Sequence, residues 1–146
     1  MKKFLTLLIL GCCMISCESK TKQTGEFNLL PIPQQFEITG NSQLSYKSVK
    51  SYFATQHEDL PILGDLLQNI KPTDNESKAT VVFGIDNSLD TKAEGYALVI
   101  TEKQITITGK DKAGLFYGFK TLEQLLQDAK EQNAYLPQCK IVDYPL

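Results

Sequence analysis

The chain has 146 residues and a mass of 16.3 kDa, with 42% hydrophobic residues, 22% charged residues and a formal net charge of −2. That length fits one ordinary domain, and the composition is typical of a globular protein, which argues against wholesale disorder and against a membrane-spanning bundle. All 15 positively charged residues are lysines. Because an acidic chain without arginine lacks the side chain best suited to grip phosphates, we expect no nucleic-acid partner.

The start of the chain has the layout of a secretory signal. Two lysines precede an apolar run over residues 4–15, which is too short to span a bilayer comfortably. Its end, Met14–Cys17, resembles the lipobox of bacterial lipoproteins, in which the signal is removed just before a cysteine that then carries acyl chains. We therefore predict a signal peptide over residues 1–16, lipidation at Cys17, and export to the periplasmic or cell-surface side of a bacterial membrane. An ordinary signal with a chance cysteine is the alternative.

A polar segment over residues 17–26 predicts a flexible tether. Removal of the signal leaves Cys17 and Cys139 as the cysteines of the mature chain. With Cys17 acylated, Cys139 has no partner within the chain, so no disulfide framework is expected. Because Cys139 lies in a strand pattern far from the single histidine, a small buried apolar residue is a better interpretation than a nucleophile.

The domain is predicted to begin at Phe27 with extended chain, because prolines within residues 31–33 keep the residues before them out of a helix. Apolar and polar residues then alternate, and the pair Gly40-Asn41 supplies turn chemistry. This pattern predicts a β-hairpin over residues 34–46.

A helix is predicted next, from apolar residues that recur at three- and four-residue spacing: Leu60, Leu63, Leu67 and Ile70. The pattern leaves open whether an earlier helix begins within Val49–Gln56. Residues 71–77 are predicted to be loop because they combine proline, asparagine and aspartate.

The second half of the chain predicts buried strands followed by a long helix. A continuous apolar run over residues 79–85 is typical of a central strand, and residues 96–100 and 105–108 predict a hairpin. Asp111 is a good N-cap for a helix over roughly 112–130 that carries one apolar stripe.

Gly114 and Gly118 lie on this second helix, and we expect it to pack closely on the sheet where they leave no Cβ atom. A last strand is predicted over Cys139–Val142, after the breaker Pro137. The order of elements predicts an α+β fold, a mixed or mostly antiparallel sheet with two helices packed on one face.

The sequence predicts no catalytic, cofactor-binding or metal-ligating residue. His57 begins a segment like the zinc-protease helix, but Pro61 stands where the second histidine is needed and the chain holds no other. At Glu94-Gly95-Tyr96 two interpretations are open: a carboxylate and a phenol at the edge of a site, or a glycine that relieves backbone crowding where a strand begins.

Several segments, in order, resemble the N-terminal, non-catalytic domain of glycoside hydrolase family 20 β-N-acetylhexosaminidases. They are Leu29–Gln34, Glu94–Leu98, Ala113–Gly118, Thr121–Leu122, Gln124–Leu126, Leu136–Pro137 and Ile141–Pro145. The resemblance covers residues 27–145 and implies a sheet with two helices that packs beside a catalytic (β/α)8 barrel. In the family an adjacent aspartate-glutamate pair on that barrel works with the substrate's own acetamido group.

No aspartate of this chain is followed by glutamate, no arginine is available to bind the terminal sugar, and a barrel needs about 200 residues or more. We therefore expect residues 27–146 to be the non-catalytic domain of an exported hexosaminidase, present as a fragment without its barrel and inactive alone. This hypothesis predicts an apolar surface patch that the barrel covers. The alternative is a stand-alone lipoprotein that binds a partner or a glycan through its sheet.

Overall fold

The computed structural model describes residues 25–55 and 68–146. The predicted signal peptide, Cys17, most of the predicted tether, His57 and most of the first predicted helix fall outside these ranges. Within them, no helix is both long and apolar enough to cross a membrane.

The described residues form one mixed seven-stranded sheet and one α-helix. In chain order the elements are β1 (Gln35–Ser45), β2 (Ser51–Ala54), β3 (Lys71–Pro72), β4 (Val81–Ile85), β5 (Tyr96–Ile100), β6 (Ile105–Gly109), α1 (Lys112–Glu131) and β7 (Tyr135–Asp143). The strand order is β1-β7-β5-β6-β4-β2-β3, in which β3, β2, β4 and β6 are parallel and the other neighbours antiparallel. The predicted α+β class is confirmed, but one helix rather than two packs on the sheet in the described part. Of the four apolar residues that predicted the other helix only Ile70 is described, and it is buried in a bend.

The helix α1 supplies much of the core. Its buried apolar side chains are Leu115, Phe119, Leu122, Leu125 and Ala129. The ring of Phe119 meets that of Phe83 on β4 edge-to-face, with centroids 5.0 Å apart. Because each large side chain contributes roughly 1.5–3 kcal/mol when buried, this stripe is a main source of stability, as its spacing predicted.

The start of α1 confirms both the predicted cap and the predicted close approach. The carboxylate of Asp111 accepts a hydrogen bond from the Gly114 amide at 2.9 Å. A Cβ on Gly118 would lie 2.5 Å from a methyl group of Ile107, and one on Gly114 would collide with the Gly95 carbonyl oxygen. Only glycine lets the helix lie this near the sheet.

The hairpin predicted over residues 34–46 is wrong, since these residues form the single long strand β1. β1 pairs antiparallel with β7, and register shifts fall between Ile38 and Gly40 and between Asn41 and Ser45. Turn-forming residues also suit such irregularities inside a strand, where no chain reversal follows. The β5–β6 hairpin and the β4 strand are confirmed.

Pro137 lies inside the last strand, β7. The sequence had instead predicted that Pro137 precedes this strand and that the strand begins at Cys139. The ladder with β5 begins at Cys139, so Pro137 lies beyond it and faces Asn41 of β1 at an irregular register. A missing N–H is tolerated there. Whether an earlier helix begins within Val49–Gln56 was left open, and the structure places the strand β2 there, parallel to β4. The predicted loop over residues 71–77 contributes the two residues of β3.

Candidate functional site

The described residues offer little for metal or thiol chemistry. No group of three or more His, Cys, Asp or Glu side chains among them is placed to hold a metal ion. Cys139 is buried in the core, as predicted, and burial raises the pKa of its thiol to about 12. A thiol that stays protonated at neutral pH is a poor nucleophile.

An open groove of about 280 Å³ lies beside the N-terminal half of α1. Its apolar lining is Pro31, Ile32, Tyr117, Tyr144, Pro145 and Leu146. Ile32 is 82% exposed and Tyr117 45% exposed, although both are large and apolar. The groove is an exposed apolar surface, as predicted, and its lining residues come from four segments distant along the chain; that a barrel covers it stays a prediction.

Glu94 lies on the rim of this groove and is held in an uncommon conformation. Its φ is 60°, in the left-handed region that residues other than glycine rarely adopt. Its amide donates a hydrogen bond to the Asp111 carboxylate at 2.7 Å, the same carboxylate that caps α1. The bonds from Gly114 and Glu94 hold the pKa of Asp111 below its usual value. Asp111 therefore ties the groove rim to the helix N-terminus.

Tyr96 and Asp143 complete the polar part of the groove. The Tyr96 hydroxyl lies 2.5 Å from the Thr121 hydroxyl, and burial raises the pKa of this phenol to about 12. Asp143 accepts a hydrogen bond from the Gln34 amide at 3.2 Å. A phenol that is neutral at physiological pH orients α1 on the sheet and does not serve as a base there.

Both interpretations of Glu94-Gly95-Tyr96 have structural support. Glu94 and Tyr96 line the groove, as expected for the edge of a site. A Cβ on Gly95 would lie 2.7 Å from the Thr91 Cβ and 2.9 Å from the Lys92 carbonyl oxygen, so the crowding is real. An exposed carboxylate over an open apolar surface is suited to packing against another protein surface.

The C-terminal half of α1 holds a second feature, which the sequence analysis missed. Residues 26–30, here called the strap, run along the helix and bind it through side-chain amides. Gln132 accepts from the Glu26 amide at 2.7 Å and donates to its carbonyl at 2.6 Å. Gln124 makes the same pair of bonds with Leu30, both at 3.0 Å.

The middle of the strap is held by a single bond, since the Asp128 carboxylate accepts from the Asn28 amide at 3.3 Å. Four helical residues advance about 6 Å and two extended residues about 6.6 Å, so side chains four apart on α1 match alternate residues of the strap. The alternate side chains, Phe27 and Leu29, are buried. A polar stripe at four-residue spacing beside an apolar one is the signal that could have indicated this contact.

Comparison with known proteins places the chain in a family. Residues 26–144 match the family described as glycosyl hydrolase family 20, domain 2. A β-hexosaminidase of Porphyromonas gingivalis is 30% identical over 140 residues, a match that covers 84% of this chain and 18% of the relative. This chain therefore spans about a fifth of the length of that curated relative.

Solved structures show the same fold. The β-N-acetylhexosaminidase of Bacteroides fragilis matches 80% of this chain and 24% of its own, with a TM-score of 0.63 and 20% identity. The chitobiase of Flavobacterium johnsoniae matches 82% of this chain and 21% of its own, with a TM-score of 0.57 and 23% identity. The chain belongs to glycoside hydrolase family 20, and residues 26–144 are its domain 2, the non-catalytic domain of the family's hexosaminidases.

Proposed function

We propose that this chain supports a β-N-acetylhexosaminidase by packing against its catalytic (β/α)8 barrel, which lies in the same polypeptide or in a partner chain. The match of residues 26–144 to the family's non-catalytic domain carries this proposal. The barrel removes terminal N-acetylhexosamine from glycans, and the domain described here contributes packing surface and no reacting group.

We further propose that the domain is exported and held at a bacterial membrane by lipid on Cys17. Several acyl chains on one cysteine give a lasting attachment, whereas a single chain gives a marginal one. From Cys17 to the strap at Glu26 the chain reaches at most about 30 Å, so the domain stays near the membrane surface. The support is the resemblance of Met14–Cys17 to a lipobox, directly after an apolar run with two lysines before it.

Metabolic labelling tests the anchor. The full chain, expressed in a bacterium that processes lipoproteins, is expected to take up labelled palmitate and to sediment with membranes. Cys17→Ser should abolish both, while the matched control Cys139→Ser should keep both. Equal labelling of wild type and Cys17→Ser would overturn the anchor.

A fusion tests the enzymatic role. The full chain is joined to the Porphyromonas gingivalis β-hexosaminidase in place of the region that it matches there. We expect the fusion to hydrolyse a chromogenic N-acetylglucosaminide and the chain alone to release no product above buffer. Turnover by the chain alone, or an inactive fusion beside an active parent enzyme, would contradict the proposal.

A further inference from the structure

Resting on the function proposed above, we propose that the groove at the N-terminal half of α1 is the surface on which the catalytic domain packs. We include in this proposal an ion pair between Glu94 and a basic side chain of that domain. The occupant is thus a protein surface that is apolar at its centre and carries a positive charge at its edge.

The exposed side chains of the groove are the first argument. Ile32 is 82% exposed and lies beside the 45% exposed Tyr117, in a concave surface that also contains Pro31 and Pro145. Clustered apolar surface of this kind marks an interaction site, whereas single exposed side chains such as Ile38 on the edge strand are ordinary.

The path of the chain is the second argument. The family match ends at residue 144, in the wall of the groove, and more than four-fifths of the Porphyromonas relative lies outside the matched region, which covers 18% of it. A polypeptide that continues from Tyr144 starts in the groove. The strap instead begins at Glu26, beside Gln132 and about 22 Å along α1 from Tyr117, so the N-terminal end of the described domain lies away from the groove.

The conformation of Glu94 is the third argument. Its side chain is exposed and forms no hydrogen bond or ion pair with any described residue, while its backbone is held by Asp111. The other groove carboxylate, Asp143, already accepts the Gln34 amide. When a docked surface excludes water, an unpaired carboxylate on the rim favours a cation opposite it.

Matched variants of the fusion test the surface. Ile32→Lys is expected to lower the unfolding midpoint of the fusion by about 4 °C or more, because a charge enters the apolar contact. The control Ile38→Lys changes the same residue type at an exposed site outside the groove and should leave the midpoint within about one degree. Each variant is also made in the full chain alone, where both should melt as the wild type does.

The ion pair is tested by Glu94→Lys beside Glu76→Lys, an exposed control in the short helical turn before β4. We expect Glu94→Lys to lower the midpoint of the fusion, and the loss to shrink in high salt. A folded, active fusion in which the groove variants behave like their controls would overturn the docking surface and leave the proposed function standing. A fusion that is inactive beside an active parent would overturn the proposed function and the docking surface with it.

Discussion

The two halves of α1 differ in how they contact the rest of the chain. At the C-terminal half, Gln124 and Gln132 each satisfy both backbone groups of one strap residue, so the chain closes on itself. At the N-terminal half, Ile32 and Tyr117 stay exposed around the groove. The comparison shows that one helix can hold the chain by hydrogen bonds at one end and leave apolar side chains exposed at the other.

The largest expected loss of stability comes from a substitution that disturbs the packing of the N-terminal half of α1 on the sheet. Gly114→Ala places a Cβ against the Gly95 carbonyl and should lower the free energy of unfolding by about 2–3 kcal/mol. Urea denaturation of the full chain measures it. The control Gly40→Ala adds a Cβ whose nearest neighbour, Gln138 Cδ, is 3.9 Å away, and should cost nothing. Equal stability of the two variants would contradict the close approach.

The next largest expected loss of stability comes from removing the hydrogen bonds between α1 and the strap. The double variant Gln124→Ala, Gln132→Ala removes four hydrogen bonds and should lower the free energy of unfolding by about 2 kcal/mol, because each bond contributes about 0.5 kcal/mol at an exposed site. Hydrogen exchange should show faster exchange of the amides within residues 26–30. Gln127→Ala, which loses a bond to Glu131 on the helix surface, is the control, and faster strap exchange there would count against a specific clamp.

The smallest expected loss of stability concerns Asp111, which links the N-terminus of α1 to the groove. Asp111→Ala should lower the free energy of unfolding by about 1 kcal/mol at pH 7, with loss of the bonds to Gly114 and Glu94. The folded pKa of Asp111 is lowered from 3.8, so its contribution is present above that value and is lost as pH falls through the folded pKa.

Denaturation at a series of pH values measures this dependence. The difference between wild type and Asp111→Ala should be full at neutral pH and should shrink below about pH 4. Asp90→Ala, at an exposed aspartate in the connection between β4 and β5, serves as the control. A difference that does not change with pH would show that the carboxylate charge has no part in the cap.

Local patterns predicted much of the fold. Asp111 and the apolar stripe from Leu115 to Ala129 indicated α1, because caps and helix faces depend on residues three or four apart. The β5–β6 hairpin followed in the same way, since its strands are joined by a short turn. The error at Gly40-Asn41 has the opposite cause: the same residues form a turn or an irregular strand, and the partner strand β7 decides which.

The sequence by itself determined the class of the domain, the helix α1 and the family, because these depend on nearby residues and on segments that keep their order along the chain. Only the tertiary structure decided that Pro137 continues a strand, that Gln132 holds Glu26, and that Ile32, Glu94 and Tyr144 share one groove. Glu26 and Gln132 are 106 residues apart. Contacts over such separations arise from how the whole sheet assembles, and no short segment carries the information that selects them.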